Sequence, residues 1–177
     1  MNAHSTTPLS DAIPSKHDVS DENISEAKDE FTRLLGSDAI ILSLDERRAH
    51  SITKWSPAAP SQIPAFIVFP TSTAEVSAIM KSCSQRRIPV TAYSGGTSMP
   101  GALAATRGGI CIDFTRMSNI LALHEEDMDV VVQPAVGWED LNNRLASHGL
   151  FFPPDPAPGA KIGGMVSFRL SLRVQRC

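Results

Sequence analysis

The segment with the clearest chemical potential is a glycine pair flanked by short hydroxyl side chains, Ser94-Gly95-Gly96-Thr97-Ser98. Two adjacent glycines can adopt positive φ angles, which lets successive backbone N–H groups point at one anion. Such a turn can bind a phosphate group without a lysine. The segment has neither the GxGxxG spacing of dinucleotide folds nor the Gly-Lys-Ser/Thr ending of nucleoside triphosphatases, so both classes are disfavoured. A plain turn between two strands is the alternative interpretation.

A second candidate is the proline- and glycine-rich segment 149–165. Its four prolines impose an extended path with few hydrogen-bond donors. Its later glycines, Gly159, Gly163 and Gly164, permit the backbone to approach a bulky group closely. The alternative is a rigid linker between a helix and a strand.

Other reactive residue types form no comparable pattern. The five histidines are scattered without metal-ligand spacing or carboxylate partners in the sequence, and we interpret them as structural or solvent-facing. The three cysteines lack CxxC spacing, so neither a disulfide framework nor a zinc site is indicated. Asp113 and Asp155 are interpreted as turn formers. The hydroxyl groups of residues 94–98 have no neighbouring His or Asp, which disfavours hydrolase chemistry.

The composition is that of an ordinary globular chain. It has 177 residues and a net charge of −3 from 16 basic and 19 acidic residues. There is no Lys/Arg run and only one Tyr and two Trp, so nucleic-acid binding is not indicated. The longest apolar stretches fall far short of the ~20 residues that cross a bilayer. The N-terminus lacks the apolar core of a secretory signal and is too acidic for a typical mitochondrial presequence.

The first 50 residues are distinctly acidic, with ten acidic and five basic side chains. Residues 1–19 are predicted to be a disordered tail. A helix follows, capped by Ser20 or Asp21 and ended by Gly36. Its apolar face is predicted to comprise Ile24, Ala27, Phe31, Leu34 and Leu35. We therefore expect residues 1–50 to form a tail plus one helix, joined to the main body by a Ser/Pro-rich linker in 56–64.

From Pro64 onward strand and helix signals alternate, which indicates a layered α/β or α+β arrangement. The predicted strands are 65–69, 90–93, 110–114, 120–123 and 130–133. One helix is predicted to open at a capping box formed by Ser72 and Glu75, with Val76, Ile79, Met80 and Cys83 on its buried face. A second helix is predicted from Trp138 to a stop at Gly149.

Taken together, these segments resemble the FAD-binding domain of the vanillyl-alcohol oxidase type flavoproteins, and within it the D-lactate dehydrogenase (cytochrome) branch, especially its fungal members. The similarity runs in order through Pro64–Val76, Val90–Ser98, Gly108–Met117, Val131–Leu141, Gly149–Pro156 and Ile162–Met165. The resemblance implies an α+β fold, the N-terminal part of an FAD-binding domain built from two α+β subdomains.

The resemblance also implies a cofactor site, with the FAD pyrophosphate on the turn 94–98. The residues implied to contact FAD are Tyr93, Ser94, Gly95, Gly96, Thr97, Ser98, Met99, Gly101, Pro134, Gly163 and Gly164. In some relatives the residue after the glycine pair is a histidine bonded to the flavin. Because that residue is Thr97 here, we expect noncovalent FAD.

The family's activity implies that FAD oxidises a D-2-hydroxy acid such as D-lactate to the 2-oxo acid and passes electrons to cytochrome c or another acceptor. Glycolate and D-2-hydroxyglutarate are alternative substrates. Fungal relatives act in mitochondria, which implies a mitochondrial location, but without a clear presequence the cytoplasm stays open.

The last ten residues, 168–177, depart from the family pattern at a place where its sequence should continue. We therefore expect 51–167 to be an incomplete FAD-binding domain of a truncated chain, followed by an anomalous tail. The family's substrate-binding residues and catalytic base lie in the part that is missing, so no catalytic residue is assigned. A noncatalytic FAD-binding remnant is the alternative function.

Overall fold

The computed structural model of the chain describes residues 16–53, 61–98, 101–167 and 175–176. Most of the expected disordered tail, the linker residues 56–60 and Met99 of the expected site lie outside the described residues. So does all but a two-residue strand of the segment 168–177. None of the described helices is long and apolar enough to cross a membrane.

The described part contains five α-helices, one 3-10 turn and eight strands. The helices are α1 (Asp21–Leu35), α2 (Leu44–Ala49), α3 (Thr73–Arg86), α4 (Trp138–Ala146) and α5 (Ile162–Ser167), with the 3-10 turn at Ser37–Ala39. The strands are β1 (Ile40–Ile41), β2 (Ile67–Val68), β3 (Val90–Tyr93), β4 (Ile110–Asp113), β5 (Ile120–His124), β6 (Asp129–Val132), β7 (Leu150–Phe151) and β8 (Gln175–Arg176).

The first sheet has the order β1-β2-β4-β3. Strands β2, β4 and β3 run parallel, and β1 is an antiparallel edge strand. Every residue of β4 is buried, as a central parallel strand requires, which explains its continuous apolar run from Ile110 to Ile112. Helices α1 and α3 pack on each other, and the core beside this sheet contains Phe31, Phe66 and Ile79.

Helix α1 is an integral part of this first core. Its predicted end at Gly36 is confirmed, and Ala27 and Phe31 are fully buried against the sheet residues. The backbone N–H of Asp18 donates to the carbonyl of Arg87 at 3.0 Å, which links the residues before α1 to the end of α3. Besides the expected helix, residues 16–50 contain β1 and α2, and α1 and β1 contribute to the same core.

Helix α3 begins as its capping signature predicts. The Ser72 hydroxyl accepts a hydrogen bond from the Glu75 N–H at 3.2 Å, and the Glu75 carboxylate accepts one from the Thr71 N–H at 2.7 Å. The buried face was predicted less well, since Met80 is 45% exposed. The buried stripe is formed by Ile79, Ser82 and Cys83, and Met80 lies about 100° around the helix from its centre.

The second half of the structure is built on the antiparallel hairpin β5-β6, with its turn at residues 125–128. Its core packs this hairpin against α4, α5 and the β7 segment. The buried residues are Val136, Leu141, Leu145, Leu150, Phe152, Ile162 and Met165. Strand β7 also pairs with β8 near the C-terminus. The two cores, each beside its own sheet, confirm the α+β arrangement.

Candidate functional site

The glycine turn 94–98 lies at the carboxyl end of β3. Parallel pairing places Tyr93 opposite Asp113 at the ends of β3 and β4, and the Phe114 N–H donates to the Tyr93 carbonyl at 3.0 Å. In open sheets with parallel strands, ligands bind beyond the carboxyl ends of the strands. The turn therefore lies beyond the carboxyl ends of the strands, where a ligand is expected to bind.

The turn offers hydrogen-bond donors that no described residue accepts. Within the described ranges, the backbone N–H groups of residues 94–98 donate to no protein acceptor. The Ser98 hydroxyl is buried and likewise has no partner among the described residues. Gly96 adopts a φ of 65°, the positive angle that an anion-binding nest uses. Because buried donors are rarely left unpaired, this arrangement fits an external anion.

Three segments that are distant in the sequence meet at the carbonyl of Pro134, in the loop after β6. The Gly163 N–H donates to this carbonyl at 2.8 Å, and the Ser94 hydroxyl donates to it at 3.4 Å. A Cβ atom on Gly163 would lie 2.7 Å from the Cβ atom of Pro134. The structure therefore brings Ser94, Pro134 and Gly163 together, and only a glycine permits the observed approach.

The proline- and glycine-rich segment packs directly on the glycine turn. A Cβ atom on Gly95 would lie 2.9 Å from the Gly159 carbonyl oxygen and 3.0 Å from Cγ of Lys161. Next to Gly163, Gly164 has no neighbouring atom within 4 Å of its Cβ position, so its surface is open. This packing makes the segment part of the site, beyond the role of a linker.

The other expected site residues occupy different surroundings. The Tyr93 hydroxyl lies 2.6 Å from the position of a Cβ atom on Gly96, so the tyrosine side chain packs against the turn. Thr97 is exposed. Gly101 begins a separate turn, in which its carbonyl accepts from the Ala104 N–H at 3.1 Å.

Lys161 is a residue that the sequence analysis missed. Its side chain runs along Gly95, and its Nζ lies 3.3 Å from the Cβ position of Gly137. The Asp140 carboxylate lies on the same side of Gly137, yet Lys161 forms no ion pair within the described residues. The sequence signal that could have identified Lys161 is the presence of a lysine within a glycine-rich segment. Its charge can offset that of an anion on the turn.

A groove borders the convergence point. Its volume is about 860 Å³, within the range of small-molecule sites. Pro134 and Gly163 line it together with mostly apolar residues. The remaining lining residues are Asp127, Met128, Asp129, Val130, Val131, Val132, Leu141, Phe152, Ile162 and Val166. A ligand held at the turn can therefore extend over an apolar surface.

The expectation that the histidines lack carboxylate partners is wrong for three of them. His50 contacts Asp113 at 2.7 Å and His148 contacts Glu125 at 2.6 Å, while His124 pairs with Asp129 across the β5-β6 hairpin. The partners are brought close by strand pairing and tertiary packing, which sequence spacing does not reveal.

The two buried cysteines are unsuited to thiolate chemistry. Burial raises the pKa of Cys83 to about 11, and the nearby Glu30 charge acts in the same direction. Burial, with the charge of Asp113, raises the pKa of Cys111 to about 12. Since the thiolate is the nucleophilic form, both thiols are inert at neutral pH.

Comparison with known proteins gives concordant results. The family described as "FAD binding domain" matches residues 64–171. D-lactate dehydrogenase [cytochrome], mitochondrial, of Arabidopsis thaliana is 47% identical over 134 residues, covering 76% of this chain and 24% of the relative. D-lactate dehydrogenase [cytochrome] 1, mitochondrial, of Saccharomyces cerevisiae is 44% identical over 124 residues, covering 67% of this chain and 21% of the relative.

A solved structure of alkyldihydroxyacetonephosphate synthase superimposes with a TM-score of 0.74 at 20% identity, covering 84% of this chain and 32% of that chain. This likeness shows the fold. The chain spans about a quarter of the length of the curated relatives that it matches.

Proposed function

The chain belongs to the FAD binding domain family, and on that premise we propose that it holds FAD for the oxidation of a D-2-hydroxy acid. FAD as the cofactor and the α+β fold, both expected from the sequence, are confirmed by this family match. The positions of the cofactor contacts and the reaction of the whole protein are our proposals.

The observation that carries the proposed site is the convergence of three segments on the carbonyl of Pro134. It joins the donor-rich turn 94–98 to Gly163, so backbone groups from both can face one ligand. The Ser98 hydroxyl and the N–H groups of the turn, which have no acceptor in the described part of the chain, match the acceptor oxygens of a pyrophosphate. We assign the contacts of FAD to Tyr93, Ser94, Gly95, Gly96, Thr97, Ser98, Gly101, Pro134, Gly163 and Gly164, with Met99 outside the described residues.

The residues of this chain bind and orient the cofactor, while bound FAD supplies the hydride acceptor for the reaction. The turn donates hydrogen bonds, Lys161 offsets negative charge, and the apolar groove limits the access of water. Thr97 stands where covalently flavinylated relatives carry histidine, and its hydroxyl is a poor nucleophile near neutral pH. We therefore propose that FAD is bound noncovalently.

For the whole protein we propose oxidation of D-lactate to the 2-oxo acid, with electrons passed to cytochrome c, and a mitochondrial location. The support is the identity of 47% and 44% to two relatives whose names carry that activity and location. The chain covers about a quarter of those relatives. Substrate-binding and catalytic residues are accordingly not assigned to it.

The proposal is tested by incubating the purified chain with FAD, removing free ligand by gel filtration and recording the visible absorption spectrum. Stoichiometric flavin is expected, and acid precipitation should release all of it into the supernatant. Colourless, folded protein would contradict the proposed site, and flavin retained in the acid pellet would contradict noncovalent binding. Anaerobic addition of D-lactate, glycolate or D-2-hydroxyglutarate then distinguishes an enzyme from a noncatalytic FAD-binding remnant, because only the enzyme bleaches the flavin.

Replacing Lys161 by methionine is expected to weaken FAD binding at least about tenfold. A charge-assisted hydrogen bond contributes about 1.5–3 kcal/mol, and 1.4 kcal/mol corresponds to a factor of ten in affinity. The measurement is a fluorescence titration of FAD at two salt concentrations. The wild-type affinity should fall more steeply with salt than that of the variant, because one ionic contact is lost.

Lys81→Met is the matched control, since Lys81 is exposed on helix α3 and is not among the residues nearest to Gly95 or Gly96. Its FAD affinity and salt dependence are expected to equal those of the wild type. Equal losses in both lysine variants would indicate a general charge effect and argue against a local contact of Lys161.

A further inference from the structure

His50, at the C-terminal end of helix α2, has both ring nitrogens engaged with acceptors. Nδ1 lies 2.8 Å from the carbonyl oxygen of Glu46, and Nε2 lies 2.7 Å from Oδ2 of Asp113. A carbonyl oxygen only accepts, so Nδ1 must carry a proton. When Nε2 also carries one, the imidazolium satisfies both contacts at once.

The Asp113 side chain explains why a cation belongs here. It is only 2% exposed, and its second oxygen, Oδ1, accepts from the Thr115 N–H at 2.7 Å. A buried carboxylate is costly without a charged partner. Among the described residues His50 is the one that forms an ion pair with it.

His50 also contacts the residue that supports the glycine turn. The rings of His50 and Tyr93 have centroids 4.3 Å apart with a tilt of 44°, and Phe69 packs edge-on against His50 with centroids 6.2 Å apart. The Tyr93 hydroxyl in turn lies beside Gly96, at 2.6 Å from its Cβ position. A continuous set of contacts therefore runs from Asp113 through His50 and Tyr93 to the turn.

We propose that His50 is a positioning residue for the cofactor site: as an imidazolium bound to Asp113, it fixes the Tyr93 ring and with it the Gly96 turn, so that FAD affinity depends on the protonation of His50. This inference rests on the proposed FAD site. It concerns a residue about 40 positions before the turn and outside the matched family region.

The charges around His50 set the direction of its titration. Burial of the ring acts to lower its pKa, but the hydrogen bonds to Asp113 and Glu46 and the charges of both residues outweigh it, so the pKa is raised. The titratable groups that face His50 are Asp113 on β4, Tyr93 on β3 and Glu46 on α2. Arg116, whose guanidinium carbon lies 5.5 Å from the centre of the Phe69 ring, pairs with Asp38.

Because the pKa of His50 is raised, its ion pair with Asp113 is fully formed below the ordinary histidine pKa of about 6.5. The ion pair is lost as the pH rises through the pKa of His50 in the folded protein. Affinity for FAD should therefore fall on the alkaline side of neutrality. The opposite direction, tighter binding at higher pH, contradicts the proposal.

The first test follows Tyr93 directly, because it is the only tyrosine of the chain. In protein labelled with ¹³C-tyrosine, the ring resonances of the wild type should titrate with one midpoint above 6.5, without any FAD present. The same titration should vanish in His50→Gln and persist in His148→Gln, whose histidine pairs with Glu125 elsewhere. A Tyr93 signal that stays constant from pH 6 to 9 overturns the inference. This test uses the wild-type protein, so it does not depend on whether a variant folds.

The second test measures FAD dissociation constants at about pH 6 and pH 9. We expect a three- to tenfold weaker affinity at the higher pH for the wild type and His148→Gln, and a flat profile for His50→Gln. An equal pH dependence in His50→Gln overturns the inference. If the wild type binds no FAD at either pH, the proposed function fails, while the tyrosine titration still decides whether His50 controls the turn.

Discussion

Replacing Gly163 by alanine is expected to lower the free energy of unfolding by about 2 kcal/mol and to weaken FAD binding at least tenfold. The new Cβ atom would lie 2.7 Å from the Cβ atom and 2.9 Å from the carbonyl oxygen of Pro134. Since a backbone carbonyl cannot move aside as a flexible side chain can, α5 must shift away from the loop after β6. That shift breaks the 2.8 Å hydrogen bond between Gly163 and Pro134. Urea unfolding and FAD fluorescence titration give the two quantities.

Gly164→Ala is the matched control, one residue along the same helix. Its Cβ position has no neighbour within 4 Å. Alanine inside a helix is intrinsically favoured over glycine by about 1 kcal/mol, so stability should be unchanged or raised. A weaker FAD affinity in this variant, at full stability, would support direct contact of the cofactor with Gly164. Equal destabilisation of both variants would contradict the role given to the Pro134 contact.

Local signals made several elements predictable from the sequence. Strand Val90–Tyr93 was predicted with its observed bounds, and Ser72 caps α3 as its spacing from Glu75 indicates. Helix α1 ends at Gly36, also as predicted. These features depend on residues within about four positions of each other, so a single sequence contains the information that fixes them.

The features that sequence analysis missed depend on distant contacts. Ile40–Ile41 forms a strand only because β2 offers it an edge, with Ile40 opposite Val68. The paired residues are 28 positions apart, and a two-residue strand has no periodicity to detect. The apolar face of α1, including Phe31, was predicted, but its packing partner Phe66 was not, because the two residues are 35 positions apart.

In the candidate site, too, local features were predictable from the sequence and distant contacts were not. The glycine turn was visible as an anion-binding pattern, since its donors follow one another in the chain. The neighbours of that turn were not visible. Lys161 reaches Gly95 from 66 positions away, and His50 pairs with Asp113 over 63 positions. Only the folded chain shows that the Lys161 side chain packs on Gly95 and that the His50–Asp113 pair contacts Tyr93.

Replacing Gly109 by alanine is expected to be the most damaging single change, lowering the free energy of unfolding by about 4 kcal/mol. Gly109 has a φ of 81°, where an L-residue costs roughly 1–2 kcal/mol. Its Cβ atom would also lie 2.0 Å from the Pro89 carbonyl oxygen, which accepts the Ile110 N–H at 2.9 Å. Relief of that clash must separate β3 from β4 at their first residues. Thermal and urea unfolding followed by circular dichroism measure the loss.

Gly108→Ala separates the backbone strain from the clash. Gly108 has a similar φ of 67°, but the nearest atom to its Cβ position is a Val19 methyl at 3.7 Å, an ordinary contact. Its cost should therefore be only about 1–2 kcal/mol. If the two variants lose equal stability, the close approach of Gly109 to Pro89 is not what fixes the strand pair. If Gly109→Ala loses far more, its FAD affinity should fall as well, because the same register places Tyr93 opposite Asp113 beside the glycine turn.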